Sequence, residues 1–186
     1  MKSPRLLHSS PEIKCAVNLA LLQGVFWSAW AYGNYGNYYL QENGFVPSQI
    51  GVLNALSSIA GILSSLLFGY LSDRINSIKK TLFIAMAVTV VMLGLTPLLP
   101  LSCSYSFALI LIYFSLTNFF RGIAPTLLDN LSVRSCAIVG INFGLIRCIG
   151  SITFSVCQII ISRLLSRFSS ALLFPVSSLM LIPALI

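Results

Sequence analysis

Residues 118–158 decide the fold, and they read NFFRGIAPTLLDNLSVRSCAIVGINFGLIRCIGSITFSVCQ. Two apolar segments meet there at a short polar connection, and both contain ionisable residues where a membrane helix normally has none. Arg121 and Asp129 lie toward the end of the first segment, and Arg147 lies just inside the second. A charge at the centre of a bilayer helix costs roughly 2.5–3.5 kcal/mol to insert. Such residues usually face a protein interior or a wet cavity, so this stretch predicts a pathway.

The composition of the whole chain points to a membrane protein. Hydrophobic residues make up 57% of the 186 positions, and charged residues make up 8%. A soluble domain of this size needs a more polar exterior. Several apolar runs are about 20 residues long, which is enough to cross ~30 Å of hydrocarbon. We therefore expect an all-α, polytopic membrane protein.

Six apolar segments are predicted to cross the bilayer as helices. A tail at residues 1–14 precedes a single transmembrane domain at residues 15–186. The segments lie at about residues 15–40, 48–71, 81–99, 105–128, 140–161 and from 170 onward. The last segment is still apolar at Ile186, so we expect that helix to be truncated.

The distribution of basic residues predicts the orientation. Seven Lys and Arg side chains of the tail and loops fall on one side of the predicted bilayer, and two fall on the other. The excess predicts a cytoplasmic N-terminus in a multi-pass protein of the cell membrane. Because the basic residues lie in short loops rather than on one face, the net charge of +7 does not predict nucleic-acid binding. The lipid bilayer is the expected partner.

The sequence does not predict an enzyme, a metal site or a bound cofactor. The five cysteines form no CxxC motif, and the single histidine, His8, lies in the tail. No nucleophile with a neighbouring base is apparent either.

Polar residues recur at helical spacing in three of the segments. In the first they are Gln23, Trp27, Trp30, Asn34, Asn37 and Gln41; in the fourth Asn118, Gly122, Pro125 and Asp129; in the fifth Gly140, Gly144, Arg147, Ser151, Phe154 and Gln158. These faces either line a cavity or hydrogen-bond to one another in a compact bundle. Each buried amide in a dry bundle needs a partner, which favours the cavity. Small residues in the second segment predict close helix approach, while the third and sixth segments are expected to be peripheral.

Gly69-Tyr70-Leu71-Ser72-Asp73-Arg74, followed by Lys79-Lys80, resembles the loop between the second and third helices of major facilitator superfamily transporters. The resemblance implies that Gly69 permits close packing. It also implies that Asp73 caps a helix and pairs with an arginine across a cytoplasmic gate, so Gly69, Asp73 and Arg74 are the expected gating residues. Asn76 stands where that pattern has a second glycine.

A second resemblance lies in the stretch quoted first. Ala124-Pro125 with Asp129, followed by Phe143-Gly144-x-x-Arg147-x-x-Gly150, is similar to the lactose permease-like oligosaccharide, phenylpropionate and nucleoside:proton symporters. It implies that the chain is the N-terminal six-helix half of such a transporter, and that Asp129 and Arg147 jointly hold the substrate. The residues themselves allow this role, because a carboxylate and a guanidinium offer acceptors and a donor fork. They also allow a purely structural interhelix pair.

Other residues of the polar faces are candidates for contact with the same substrate. These are Trp30, Asn34, Asn37, Asn118 and Gln158. Arg121 lies about 80° around the helix from Asp129, at about 100° per residue. It either pairs elsewhere or faces the cavity from the side.

The expected function is that of a secondary active transporter, of which this chain is one half. We expect proton-coupled symport of a sugar or another small polar metabolite by alternating access, with the proton as the coupling ion. Transport would need a second six-helix half or another copy of the chain. The alternatives are an efflux antiporter for drugs or metabolites, which usually has a Gly-Pro pair in the fifth segment, and a truncated fragment that does not transport.

Overall fold

The computed structural model describes residues 10–99, 106–165, 167 and 169–185, and these residues form helices and short connections without a strand. The α-helices are α1 (Ser10–Gly33), α2 (Gly36–Glu42), α3 (Pro47–Ile75), α4 (Ile78–Leu95), α5 (Ser106–Val139), α6 (Phe143–Leu165) and α7 (Leu173–Leu181). Short 3-10 helices cover Thr96–Leu98, Ser170–Leu172 and Ile182–Leu185. The predicted tail at residues 1–14 lies mostly outside the described residues.

Four of the described helices are long and apolar enough to cross a membrane. They cover Pro47–Ile75, Ile78–Leu98, Phe107–Val139 and Phe143–Leu165. The last predicted segment forms a shorter apolar run at Ser170–Leu185. The first is divided at Asn34-Tyr35 into α1 and α2, and its polar face lowers its hydropathy. The chain is therefore an all-α membrane protein, with four of the six predicted spans clearly of membrane length and composition.

Two helix ends differ from the sequence prediction. α3 continues to Ile75, so Asp73 and Arg74 belong to its last turn rather than to a loop. α5 continues to Val139, so the connection predicted around Arg134 is helical. Hydropathy marks where a helix leaves the hydrocarbon, whereas the helix itself continues until its backbone bonding is interrupted. The interruptions are Asn76 and Gly140, both with positive φ, of 51° and 77°.

The helices pack in two groups that meet at α4 and α7. α1 packs most extensively on α6 and also on α7, while α3 packs on α5, and α5 on α4. The core between them includes Phe26, Leu53, Met86, Ile110 and Leu128, all of which are almost fully buried. This arrangement places α1 against α6 and leaves one side of α3, α5 and α6 exposed.

The prediction that the third and sixth segments are peripheral is wrong. α4 is the most buried of the four long helices, and α6 is the least buried. On α7, Ser177 donates a hydrogen bond to the Ala29 carbonyl at 2.8 Å, and Ser178 donates to the Val90 carbonyl at 2.7 Å. Small hydroxyl side chains allow close helix approach, so a segment without a long polar face can still be central.

The small residues of α3 produce close packing at one point. A Cβ added at Gly122 on α5 would lie 3.5 Å from the Cα atom of Gly61, so these helices approach closely there. At Gly51 and Gly69 an added Cβ would meet nothing within 4 Å. Asn54 and Ser58 on the same helix are exposed, so much of the face for which close helix approach was predicted is an open polar face.

Outside the long helices, α2 is tied to the C-terminal segment. The Ser170 hydroxyl donates a hydrogen bond to the Glu42 carboxylate. The contact fixes the short helix that follows the end of α1.

Candidate functional site

The structure brings Asp129 and Arg147 together as an ion pair between α5 and α6. Nε of Arg147 lies 3.4 Å from Oδ2 of Asp129, and the two side chains are 30% and 34% exposed. The turn at residues 140–142 reverses the chain, so side chains of α5 and α6 meet across the two helices. The predicted pair therefore exists, and it is accessible from the open side of the helices.

Gln23 on α1 connects this pair to a third helix. Its Nε2 donates hydrogen bonds to Oδ1 of Asp129 and to Oγ of Ser132, both at 3.1 Å. Its Oε1 accepts a hydrogen bond from Nε1 of Trp27 at 2.8 Å. Gln23 is fully buried, and these bonds satisfy both ends of its amide. Asp129 is thus oriented from two sides, by Gln23 and by Arg147.

The Arg147 guanidinium lies over an indole ring of α1. Its Cζ is 4.0 Å from the centroid of Trp27, which is a cation–π distance. The Trp27 ring also makes an edge contact with Phe154 on α6, with centroids 6.1 Å apart. A Cβ added at Gly150 would lie only 2.6 Å from Cδ1 of Trp27, so the absence of a side chain there lets α1 and α6 approach. We call Gln23, Trp27, Asp129, Ser132 and Arg147 the inner cluster.

A second arginine, Arg121 on α5, occupies a similar position at the end of α1. Its guanidinium donates hydrogen bonds to the Trp30 carbonyl at 3.2 Å, to the Gly33 carbonyl at 3.3 Å and to Oδ1 of Asn34 at 3.2 Å. Its Cζ lies 4.1 Å from the centroid of the Trp30 ring. The last carbonyls of a helix lack partners within the helix, and a cation near them is favourable. We call Trp30, Gly33, Asn34 and Arg121 the outer cluster.

A cavity of about 170 Å³ lies beside the outer cluster. Amides and hydroxyls form much of its lining, which includes Asn34, Asn37, Asn54, Thr96, Tyr113, Thr117 and Asn118 together with Arg121. A more open cavity of about 380 Å³ between α3 and α5 shares Asn37, Asn54 and Asn118 with it. These two cavities are therefore adjacent, with three amide side chains between them.

The predicted site residues therefore separate into two groups. Asp129 and Arg147 lie in the inner cluster, whereas Trp30, Asn34, Asn37 and Asn118 lie at the outer cluster and its cavity. Arg121 and Asp129 are eight residues apart on α5, which is ~12 Å along the helix axis.

Gln158 belongs to a different contact. Its backbone carbonyl accepts a hydrogen bond from the Tyr35 hydroxyl at 3.3 Å, which joins α6 to the short connection after α1.

The predicted gating residues lie at the turn between α3 and α4. Asp73 and Arg74 are exposed in the last turn of α3. The cap of α4 comes from Ser77, whose hydroxyl accepts a hydrogen bond from the Lys80 amide at 3.4 Å, and not from Asp73. Asn76 adopts the left-handed conformation that ends α3, as its substitution for the family glycine allows.

Sequence reasoning did not select Gln23 and Ser132 as site residues. The available signal was their spacing, since Gln23 precedes Trp27 by four residues and Ser132 follows Asp129 by three. The sequence also left the partner of Arg121 open, and the structure shows that Arg121 bonds the end of α1.

Helices of membrane length with charged and amide side chains between them define a polytopic membrane protein with a polar interior site. Residues 26–186 match the MFS_1 like family, and the chain belongs to that family. Membership indicates a transporter of the major facilitator type rather than an enzyme. A comparison with curated proteins gives no match, and a comparison with solved structures gives none either.

Proposed function

We propose that this chain is one half of a secondary active transporter that carries a sugar or another small polar metabolite in symport with protons. The observation that carries the proposal is the ion pair of Asp129 and Arg147, which is one-third exposed on each side and connected to α1 through Gln23. A pair that is only structural has no need of this exposure. An accessible carboxylate and guanidinium can exchange their mutual contact for hydroxyl groups of a ligand.

The proposed topology has six membrane spans and a cytoplasmic N-terminus in the cell membrane. The four long helices are four of these spans. α1 with α2, and the apolar run at Ser170–Leu185, are the other two, and each contains a break that packing against neighbouring helices can accommodate. The excess of basic residues on one side supports the orientation.

A second six-helix half completes the proposed transporter. Asp129 and Arg147 are each about one-third exposed, and the two polar cavities lie beside the outer cluster. In secondary transporters built from repeats, the substrate binds between two halves that rock against each other. The second half is either a further six-helix unit or another copy of this chain.

The test is uptake of labelled sugars, nucleosides and aromatic acids by cells that express the chain, alone and as a tandem fusion of two copies. We expect uptake of at least one of these substrates, and a proton ionophore should abolish accumulation. Asp129→Asn and Arg147→Lys should each reduce uptake at least about tenfold, because each removes a charge-assisted or bidentate contact worth about 1.5–3 kcal/mol.

Arg134→Gln is the matched control, because Arg134 is an exposed arginine on α5 outside both clusters. Uptake that survives both substitutions at Asp129 and Arg147 contradicts the binding role of the pair. Uptake that the ionophore leaves unchanged contradicts proton symport, and efflux of a preloaded substrate would favour an antiporter.

A further inference from the structure

Arg121 keeps an uncompensated positive charge at the polar cavity. Its three hydrogen-bond partners are the two backbone carbonyls and the Asn34 amide, which are all neutral. Among the described residues it forms no ion pair, in contrast to Arg147. A guanidinium has five N–H donors, so three bonds leave two available for another partner.

The acidic residues of the chain lie elsewhere. The sequence contains four of them. Asp129 bonds to Arg147, Glu42 accepts a hydrogen bond from Ser170, and Asp73 is exposed at the end of α3. Glu12 lies in the first turn of α1, about 30 Å along that helix from Gly33 at its end. Among the described side chains, no carboxylate forms an ion pair with Arg121.

The lining of the cavity adds polar groups and an apolar wall to the remaining N–H donors of Arg121. Asn37 offers an amide group to the cavity, and Asn118 keeps one N–H besides the one that bonds the Phe114 carbonyl. The Thr117 hydroxyl already donates to the Tyr113 carbonyl. Leu53, Phe114 and Phe174 form an apolar wall on the same cavity. A cation with hydrogen-bond donors around it and an apolar wall is suited to a small organic molecule that carries an oxyanion.

We propose that Arg121 and the adjoining amides form an oxyanion subsite, which takes the carboxylate or phosphate group of the transported molecule. The proposal rests on the transport function proposed above, and it narrows the substrate class from small polar metabolites to organic anions. The inner cluster, where Asp129 and Arg147 balance each other, then contacts the uncharged polar part of the molecule. The Trp27 ring of the inner cluster and the Trp30 ring of the outer cluster lie 6.0 Å apart, so the two clusters are neighbours.

Arg121 also has a structural role, because it bonds the last carbonyls of α1. A purely structural role and a binding role of Arg121 can be distinguished by the anion affinity of a variant that gives Arg121 a counter-ion. Asn34→Asp is isosteric and places a carboxylate where Oδ1 already accepts from Arg121 at 3.2 Å. This change preserves the cap on α1 and supplies the missing counter-ion. It should therefore keep the fold and remove the affinity for anions.

The test is ligand-induced stabilisation of the purified chain in detergent, with glucose, glucuronate and glucose 6-phosphate as probes. For the unchanged chain, we expect glucuronate or glucose 6-phosphate to bind at least about tenfold more tightly than glucose, as a charge-assisted contact provides. The stronger of the two anions distinguishes a carboxylate from a phosphate. Arg121→Gln and Asn34→Asp should each abolish this preference, and Asn34→Asp should unfold no earlier than the unchanged chain without ligand. Arg134→Gln, on the same helix outside the cavity, should behave like the unchanged chain.

Two results overturn the subsite. One is an unchanged chain that shows no preference for either anion over glucose. The other is a preference that persists in Asn34→Asp, which would leave Arg121 as a cap only. Neither result bears on uptake, so the transport proposal is judged separately by the substitutions at Asp129 and Arg147.

Discussion

Arg121 and Arg147 both lie over a tryptophan ring of α1, but their polar partners differ. Each guanidinium lies about 4 Å above a tryptophan of α1, Arg147 over Trp27 and Arg121 over Trp30. Arg147 forms an ion pair with a carboxylate, whereas Arg121 donates hydrogen bonds to two carbonyls and an amide. The same helix thus supports one neutral cluster and one cationic cluster. The comparison shows that the net charge of each cluster depends on the partner of its arginine and not on the presence of the arginine alone.

The largest expected difference between the clusters is the loss of unfolding free energy when a side-chain acceptor of the arginine is removed. Asp129→Ala leaves Arg147 without a counter-ion and Gln23 without one acceptor. We expect the free energy of unfolding to fall by about 2–3 kcal/mol. Asn34→Ala removes a neutral acceptor, and Arg121 keeps both carbonyls, so the loss should stay below about 1 kcal/mol. Unfolding of the purified chain in detergent measures both values.

The control for this comparison is the double substitution Asp129→Ala with Arg147→Ala. It should be less destabilising than the sum of the two single changes, since the two residues interact directly. A loss for Asn34→Ala as large as that for Asp129→Ala would show that the outer cluster is no less dependent on its side-chain acceptor.

A smaller difference is expected from the two glycines that face the clusters. A Cβ added at Gly150 meets the Trp27 ring at 2.6 Å, and that ring is held by Gln23 and Phe154. Gly150→Ala should therefore cost about 1–2 kcal/mol in unfolding free energy. A Cβ added at Gly33 meets Nη2 of Arg121 at 2.7 Å, which is the end of a flexible side chain. Gly33→Ala should cost less and should mainly displace Arg121, which lowers anion binding.

Gly51→Ala serves as the reference for these two variants, because an added Cβ there meets nothing within 4 Å. It removes a helix-interior glycine, so it should be neutral or slightly stabilising. If Gly150→Ala is as well tolerated as Gly51→Ala, α1 and α6 do not approach at Trp27 as closely as the structure has them.

The smallest expected difference in unfolding free energy comes from replacing the two tryptophans by phenylalanine, which removes their indole N–H groups. Trp27→Phe removes the hydrogen bond to Oε1 of Gln23 and leaves a buried acceptor without its partner. Trp30→Phe removes no such bond among the described residues. We expect Trp27→Phe to be the more destabilising of the two by about 1 kcal/mol. Equal losses in thermal unfolding would mean that the bond to Gln23 contributes little beyond the contact of the ring with arginine.

Much of the fold and part of the site could be predicted from the sequence. The apolar runs predicted a membrane protein of helices, and the family match agrees with the resemblance at the level of a major facilitator transporter. The resemblance to the lactose permease-like symporters implied that Asp129 and Arg147 act together, and the structure pairs them. Their helices are joined by a short turn, so this contact is nearly local.

Other features could not be predicted because they depend on helices that are distant in sequence. Gln23 reaches Asp129 from α1, and Ser178 of α7 bonds the backbone of α4. The burial of α4 and α7 follows from such contacts and leaves no polar stripe in the sequence. The continuous polar face of the first segment also concealed its division at Asn34-Tyr35.

The sequence by itself determined that this protein is helical, that it belongs in a membrane, and that charged residues lie in its apolar segments. These properties depend on hydropathy and on hydrogen bonds within each helix, which are local. Only the tertiary structure decided that Gln23 would bond Asp129 from α1 and that Arg121 would bond the carbonyls at the end of α1. That choice depends on how closely α1 approaches α5 and α6, and the glycines at positions 33 and 150 permit it only once the helices are packed.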